Sequence, residues 1–253
     1  MNWIGLQTLV MREVQRFWRT ANQSLVSPWI SAALYIYIFG HVVGQRIEFM
    51  AGASYIDFVL PGIVMMNIIS SAFMQTSFSL FLYKFQGSIQ EILVTPLSYL
   101  EMILGFLIGG LARGLLVGLG VYAMAIFFST ATISHFWLFL FYSVAVAVIF
   151  SLLGLIMGIF SEHFEHLSMV STFIIMPLTF LGGVFNSIAM LPPAVQTFVR
   201  FNPFFYFVDG LRFAMIGVRE ASIGIGLAII FGLIVICGAL TWYLFKIGYK
   251  MRT

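Results

Sequence analysis

The side chains with the clearest potential for chemistry lie in SEHFEH, a short polar segment between two long apolar runs. His163 and His166 stand three residues apart, and Glu162 and Glu165 directly precede them. Imidazole nitrogens and carboxylate oxygens are zinc ligands, so the spacing allows a metal site. Two histidines and two glutamates on a short exposed loop are more often a solvated turn, and we expect no metal there.

Arg113 is the second candidate, because it lies near the middle of a long apolar run. An unpaired charge at that depth of a membrane costs about 2.5–3.5 kcal/mol on insertion scales, so the side chain must face other helices. No acidic residue lies one turn away on the same helix, and the partner must therefore come from elsewhere in the chain. The arginine is either a packed structural residue or a substrate contact.

Sequence signatures of catalysis and nucleotide binding are absent. No G-x-x-x-x-G-K phosphate loop occurs, and the three lysines, Lys84, Lys246 and Lys250, follow no glycine-rich turn, so we expect no ATP site of that kind. No H-E-x-x-H motif or nucleophile elbow occurs either. An ion-coupled carrier would be expected to place carboxylates at the centre of a span and to show internal repeats, and we find neither.

Composition identifies the chain as an integral membrane protein. Of its 253 residues 61% are hydrophobic and only 8% are charged, and the mean hydropathy is +1.05. A water-soluble fold could not cover its surface with so few polar residues. One cysteine, Cys237, lies within an apolar run, which excludes a disulfide framework.

The apolar runs predict an all-α membrane protein with six transmembrane helices. We expect the spans at 25–44, 56–82, 99–128, 136–160, 167–185 and 224–245. The first begins at Ser27-Pro28 and is long enough to be a retained helix rather than a signal peptide. Both ends of the chain are basic, which predicts that both termini are cytoplasmic. The residues concerned are Arg12, Arg16, Arg19, Lys246, Lys250 and Arg252.

Small and polar residues within the spans predict how the helices pack. Glycines at four-residue spacing allow helices to approach closely in lipid. They form three sets: Gly105 and Gly109; Gly110, Gly114 and Gly118; Gly154 and Gly158. The second span carries Pro61, Asn67 and Gln75, whose polar groups must face protein or a water-filled path. Asn67 is either part of a pathway lining or an interhelical contact.

Residues 1–24 precede the first span and predict an interfacial amphipathic helix. Arg12, Arg16 and Arg19 lie on one side, which we expect to face anionic headgroups. The other side carries Trp3, Leu6, Val10, Val14, Phe17 and Trp18, and only Gln7 and Leu9 lie on the wrong sides. The alternative is a flank that serves only to orient the first span.

Residues 84–97 form a polar segment between the second and third spans, which we name the coupling loop. Ser88 and Glu91 have the spacing of a capping box, so a short helix is expected to start there. Thr95-Pro96 ends it. Ser98 and Glu101 repeat the box at the start of the third span. The loop is either an ordinary interfacial turn or a short helix that transmits motion to the two spans.

Residues 188–216 stay apolar but are interrupted by Pro192-Pro193 and again by Asn202-Pro203. Each helical piece is too short to cross a membrane. We expect two re-entrant helices that enter from the outside, with Asp209, Arg212, Arg219 and Glu220 near the outer surface. The alternative is two broken full spans.

Two of these segments resemble the signatures of bacterial type-2 ABC exporter permeases, and the resemblance covers the whole chain. In GSIQEILVTPLS the matching positions are Gly87, Glu91, Leu93, Val94, Thr95 and Pro96, although the acid falls later than in the commonest version. In LPPAVQTFVRFNPFFYFVDGLR they are Leu191, Pro192, Asn202, Pro203, Tyr206, Asp209 and Arg212.

The resemblance implies a half-transporter in the bacterial inner membrane, with two copies forming a homodimeric pore. A separate cytoplasmic ATPase subunit, carrying ATP and Mg, would dock on each copy, and nucleic acid has no role. ATPase contacts are implied for Arg12, Arg16, Phe17 and Arg19 of the interfacial helix and for Gly87, Ser88, Ile89, Gln90, Glu91, Leu93, Val94, Thr95 and Pro96.

The second and fifth spans would line the transport path, and the re-entrant segment would close it outside. Lining residues are then Met65, Met66, Asn67, Phe173, Met176 and Phe180, and outer-gate residues are Pro192, Phe201, Asn202, Pro203, Asp209 and Arg212. Methionine and aromatic walls suit amphipathic drugs, lipids or lipid-linked glycans. The rival hypothesis is a membrane-embedded enzyme or a non-transporting scaffold.

Overall fold

A computed structural model describes residues 2–44, 47, 49–129 and 132–251, and of His41 it describes the backbone alone. Gln45, in the predicted first outer loop, and Arg252, in the basic C-terminal cluster, lie outside the described residues. Eleven α-helices and one two-stranded hairpin occur in the described part of the chain. Helix therefore dominates, as expected for a protein whose backbone groups must be paired within lipid.

The first half contains the interfacial helix, the hairpin and the two helices that flank the coupling loop. Its elements are α1 Trp3–Arg19, α2 Ser27–Tyr37, β1 Phe49–Met50, β2 Ala53–Ser54, α3 Tyr55–Phe85, α4 Ile89–Val94 and α5 Tyr99–Ala125. The strands pair antiparallel, with Phe49 opposite Ser54.

The second half contains two long helices separated by several short ones. Its elements are α6 Phe136–Phe160, α7 Phe164–Val170, α8 Met176–Leu181, a 3-10 turn at Ile188–Met190, α9 Pro193–Phe201, α10 Pro203–Ile216 and α11 Ile223–Ile247. A π-helical turn, Ser171–Ile175, joins α7 to α8 directly before Pro177, which cannot donate a backbone hydrogen bond.

Five helices of the described chain are long and apolar enough to cross a membrane. They are α3, α5, α6, the joined α7–α8 segment Phe164–Leu181, and α11. The predicted first span has a different form, because α2 is only 11 residues long and is extended by π-helical turns at Asn22–Val26 and Ile38–Val43. Six spans therefore stay a prediction.

Helix α3 is the centre of the bundle and packs between α5 and α6. Glycines create both interfaces. A Cβ added at Gly114 would lie 3.1 Å from the Ala72 Cβ, and one added at Gly154 would lie 2.6 Å from the Phe73 carbonyl oxygen. Thr76 Oγ1 donates a hydrogen bond of 2.9 Å to the carbonyl of Ser151, which joins α3 to α6. The small-residue faces in the sequence thus mark the contacts with α3.

Helix α1 packs against the other glycine pair, Gly105 and Gly109. A Cβ at Gly105 would lie 2.5 Å from Leu9 Cδ2, and one at Gly109 would lie 2.7 Å from the Glu13 Cβ. Helix α1 therefore runs beside the first half of α5 and in the same direction. This corrects the predicted faces of α1, because Leu9 lies on the buried side together with Leu6, Glu13 and Phe17.

The segment 188–216 contains only short helices. Helix α9 has 9 residues and α10 has 14, which correspond to about 14 and 21 Å, less than the roughly 30 Å of a hydrocarbon core. Helix α10 packs against α3 and α6, whereas most of α9 lies on the surface. Neither helix can cross a membrane alone.

We expect Gly154→Ala to destabilise the protein, because a methyl group would meet the backbone of α3, which cannot move aside. Overpacking of this kind costs about 1–3 kcal/mol. The matched control is Gly232→Ala in α11, where an added Cβ meets nothing within 4 Å. Melting temperatures of the purified variants in detergent should fall for Gly154→Ala alone. An equal effect of both variants would contradict the proposed packing.

Candidate functional site

The start of α4 differs from the prediction. Ser88 occupies the N-cap position, but its backbone is already helical, with φ −77° and ψ −4°. Its side chain accepts no hydrogen bond from a backbone N–H of the described helix α4. The predicted capping box with Glu91 is therefore wrong. The turn is made instead by Gly87, whose φ of +72° favours glycine. Thr95 ends α4 as predicted, with an extended backbone and a 2.6 Å hydrogen bond from Oγ1 to the Ile92 carbonyl.

Helix α4 has one buried and one exposed face. Ile89 and Ile92 are buried in a cluster that includes Leu9 of α1 and Met102 of α5. Val94 is 86% exposed. Leu93 and Ser88 are half-buried, and the other predicted contact residues are exposed: Gly87, Gln90, Glu91, Thr95 and Pro96. The buried face anchors α4 to the bundle, and the other face lies on the protein surface.

Helix α1 lies beside α4 at the same end of the bundle. A groove of about 380 Å³ separates them, lined by Ile4, Thr8, Leu9, Arg12, Ile92, Pro96 and Leu97 among others. The side chain of Leu97, which follows α4, packs against α1 at Gly5, where an added Cβ would lie 2.9 Å from Leu97 Cδ2. We name the exposed faces of α1 and α4, with this groove, the coupling surface.

The four predicted contact residues of α1 fall in different environments. Arg12 and Arg19 are exposed, Arg16 is half-buried and Phe17 is buried. The Arg12 and Arg16 guanidinium carbons lie 5.3 and 4.3 Å from the ring centroid of Tyr83 on α3. Arg16 therefore faces the bundle rather than lipid headgroups, which corrects the predicted orientation for that residue.

Arg16 belongs to a buried polar cluster between α1 and α3. At its centre is Glu13, whose side chain is 0% exposed. The carboxylate forms a 3.5 Å ion pair with Arg16 and accepts a 2.6 Å hydrogen bond from Ser79 Oγ. Gln75 Nε2 donates to the same carboxylate at 3.5 Å, and Arg16 also donates to Ser79. A buried carboxylate requires partners of this kind.

Arg113 of α5 joins the cluster through Gln75. Its Nη1 donates a 3.3 Å hydrogen bond to Gln75 Oε1. The partner that Arg113 requires is therefore Gln75 of the neighbouring helix α3, in the predicted second span. We name Glu13, Arg16, Gln75, Ser79 and Arg113 the polar cluster.

Sequence reasoning overlooked Glu13, although a signal for it exists. Leu6, Leu9, Glu13 and Phe17 follow one another at helical spacing, so the only acid of α1 lies on an otherwise apolar face. An acid in that position on a helix beside a membrane indicates a buried partner.

The predicted pathway residues do not form one lining within the single chain. Met65 and Met66 are buried, and Asn67 is half-buried with its side-chain amide bonded to Ile63 of its own helix at 2.9 Å. In contrast, Phe173 is 72% exposed. Met176 is also exposed, and Phe180 packs on Phe185. Their role in a pathway stays a prediction.

The predicted gate residues divide into surface and interior groups. Pro192 and Phe201 are exposed, and Pro203 is half-buried at the start of α10. Asn202 is buried and caps α10 by accepting from Phe204 N at 3.1 Å. Its amide also donates to the Leu178 carbonyl at 2.6 Å, which ties α10 to α8.

Asp209 and Arg212 are both buried within the bundle, and their position near the outer surface of the membrane stays a prediction. Asp209 accepts hydrogen bonds of 2.8 and 3.0 Å from the backbone N–H groups of Glu220 and Ala221. Arg212 donates to the carbonyls of Phe58 at 3.1 Å and Gly183 at 2.5 Å, and lies over the Phe58 ring. Both residues hold α10 in place.

The SEHFEH segment contains a short bend after α6 and the first turn of α7, and its charged side chains are exposed. His163 and His166 are exposed, with ring centroids 5.4 Å apart. Glu162 forms a 2.6 Å ion pair with Lys250, whose ammonium group lowers the pKa of that carboxyl. No group of three potential metal ligands occurs among the described residues.

The environment of Glu13 predicts a pH dependence of stability. Burial raises its pKa above the ordinary value of 4.5, although Arg16 and Ser79 oppose the shift. Between the ordinary pKa of the unfolded state and the raised pKa of the folded state, the folded protein therefore binds more protons than the unfolded protein. The free energy of unfolding should fall as pH rises through that interval. Glu13→Gln should flatten the profile of melting temperature against pH, whereas the exposed control Glu165→Gln should leave it unchanged. Equal profiles for both variants and the native protein would refute this assignment.

Comparison with known proteins places the chain in a family. The ABC-2 type transporter family model matches residues 5–216. The chain is 38% identical over 252 residues to the inner membrane transport permease YadH of Escherichia coli K12, covering 99% of this chain and 98% of the relative. It is also 25% identical over 231 residues to nodulation protein J of Rhizobium meliloti, covering 88% and 85% of the two chains.

Both the family match and the YadH similarity extend across the coupling surface, the polar cluster and α10. The apolar spanning helices agree with the inner-membrane location in the name of the YadH relative. The chain therefore belongs to the ABC-2 type transporter family and is a multi-pass inner-membrane permease, the transmembrane subunit of a transport system.

Proposed function

We propose that this permease is the membrane part of an ATP-driven exporter that moves an amphipathic or lipid-like substrate out of the cytoplasm or inner leaflet. The observation that carries the proposal is the coupling surface. Two separate parts of the sequence, α1 and α4, lie side by side at one end of the bundle and expose apolar and charged groups there. A cytoplasmic ATPase subunit would dock on this surface, with both termini on the same side.

The anchoring of α4 explains how docking would act on the spans. Ile89 and Ile92 pack against α1 and α5, and α4 follows the last turn of α3 after only three residues. A force applied to Glu91 or Val94 therefore reaches α3 and α5 through buried contacts. Packed interiors transmit such displacements because they have low compressibility.

The chain would function as a homodimer, with one ATPase subunit on each copy. The α7–α8 segment and α11 each have only 17% of their most apolar stretch buried within the chain, compared with 78% for α3. Of the two, we assign the α7–α8 segment to the dimer interface. Its exposed Phe173 and Met176 would face the second copy and the substrate. Aromatic and methionine side chains suit varied apolar substrates.

The outer segment would close the path at the opposite end. Helix α10 is fixed to the bundle by Arg212 and Asn202, whereas α9 exposes Phe198 and Phe201. An aromatic surface on a short helix can exclude water until the two copies separate. Pro192 and Pro203 mark the ends of this movable part.

We expect Val94→Asp to weaken ATPase docking and to lower ATP hydrolysis by the complex, because it places a charge on the exposed apolar part of the coupling surface. The permease should still insert and fold, since Val94 makes few contacts within the chain. The matched control is Phe49→Asp in β1, which is 73% exposed at the other end of α3. The measurement is ATPase co-purification and ATP hydrolysis in nanodiscs. Normal values for Val94→Asp would count against ATPase docking at α4.

We expect a cysteine at Phe173 to form a disulfide between two copies in a Cys237→Ala background. The matched control is Phe231→Cys on α11, which has nearly the same exposure, 70% compared with 72%. Oxidation of membranes followed by non-reducing electrophoresis should give a covalent dimer for position 173 but not for 231. The reverse pattern would place α11, rather than α7–α8, at the dimer interface.

A further inference from the structure

We propose that Glu13 is a positioning residue for transport, and that the polar cluster carries motion of the coupling surface to the middle of the spans. Glu13 and Arg16 lie on α1, Gln75 and Ser79 on α3, and Arg113 on α5. The cluster therefore joins three helices through side chains alone. The inference rests on the proposed function, because it assumes that an ATPase moves α1 and α4.

The position of Glu13 in the interface depends on a specific gap in α5. Gly109 provides that gap, since any Cβ there would collide with Glu13. An apolar residue at position 13 would satisfy the packing without the cost of a buried carboxylate. The combination of an acid on α1 with a glycine on α5 therefore indicates a role beyond simple adhesion of the two helices.

The cluster reaches far from the coupling surface. Arg113 lies 14 residues from Tyr99, the first residue of α5, and so about 21 Å along the helix. Glu13 lies one turn of α1 beyond Leu9, which packs in the same cluster as Ile92 of α4. A displacement of α4 thus reaches Leu9, then Glu13, and through Gln75 reaches Arg113.

The hydrogen bonding of the cluster allows a second arrangement. Two cations, Arg16 and Arg113, share one carboxylate, and only Arg16 contacts it directly. Glu13 Oε1 lies 3.5 Å from Arg16 Nη1, and Arg113 Nε has no hydrogen-bond partner among the described residues. A shift of α1 along α5 could therefore exchange Arg16 for Arg113 as the ion-pair partner of Glu13. Transmission between sites requires such an element with two discrete arrangements.

The test uses the permease in complex with its ATPase subunit in nanodiscs. An environment-sensitive fluorophore on Leu119→Cys, in a Cys237→Ala background, reports motion in the outer half of α5, where Leu119 is exposed. Addition of ATP and Mg should change the fluorescence. Glu13→Gln, which keeps the side-chain shape and removes the charge, should reduce that change about fivefold or more, the lower end of typical coupling between sites. The complex yield and melting temperature should be retained.

Two further variants separate transmission from simple structure. Arg113→Gln should reduce the fluorescence change to the same extent, and the double variant Glu13→Gln/Arg113→Gln should be no worse than either single variant, because both act through one cluster. The matched control, Glu165→Gln on the exposed side of α7 and outside the coupling surface, should respond like the native complex. If Glu13→Gln lowers the melting temperature, Ser79→Ala serves instead, since it removes one hydrogen bond from the carboxylate.

The outcomes distinguish the inference from the function on which it rests. A full ATP response at Leu119→Cys in both Glu13→Gln and Ser79→Ala would overturn the role of the cluster and leave the exporter intact. Independent, multiplying effects of Glu13→Gln and Arg113→Gln would also overturn it. If the native complex bound ATPase but gave no ATP response, or bound none, the proposed function itself would fail and the inference with it.

Discussion

The close approach of α5 and α6 to α3 is the contact on which the rest of the structure depends. Lipid is as apolar as the side chains it would replace, so helices associate in a membrane mainly where small residues let their backbones meet. Gly110 and Gly114 on α5 and Gly154 on α6 provide these places. Because α3 is held on both sides, the elements at its two ends acquire fixed positions: α4 after its last turn and α10 against its first half.

Much of this arrangement could be predicted from the sequence, because it depends on local rules. The glycine spacing indicated the contact faces, the capping box at Ser98 and Glu101 forms as expected, and Thr95 ends α4. Proline pairs likewise predicted that 188–216 would contain only short helices. Each of these signals requires no knowledge of a distant partner.

The remaining features could not be predicted, because their partners lie far away in sequence. Leu9 was assigned to the wrong face of α1, since Gly105 determines which face is buried. The burial of Arg212 had no local signal, because the carbonyl oxygens of Phe58 and Gly183 that accept its hydrogen bonds lie 154 and 29 residues away in the sequence. At Ser88 the local rule failed, because the backbone had already entered a helical conformation after the turn at Gly87.

Glu13 and Arg212, two of the buried charged residues, differ in the kind of group that binds them, and this difference bears on mechanism. Arg212 is bound to backbone carbonyls, whose positions are fixed by the helix α3 and the turn after α8, so it holds the end of the bundle opposite the coupling surface in one arrangement. Glu13 is bound mainly by side chains, which can change rotamer at little cost. The polar cluster also contains two arginines for one carboxylate, so it has more hydrogen-bond donors than that carboxylate uses. The end of the bundle near the coupling surface can therefore rearrange while the opposite end stays fixed. A transporter driven from one side requires this asymmetry, because a force at the coupling surface can open a path only if the opposite end of the bundle does not follow it.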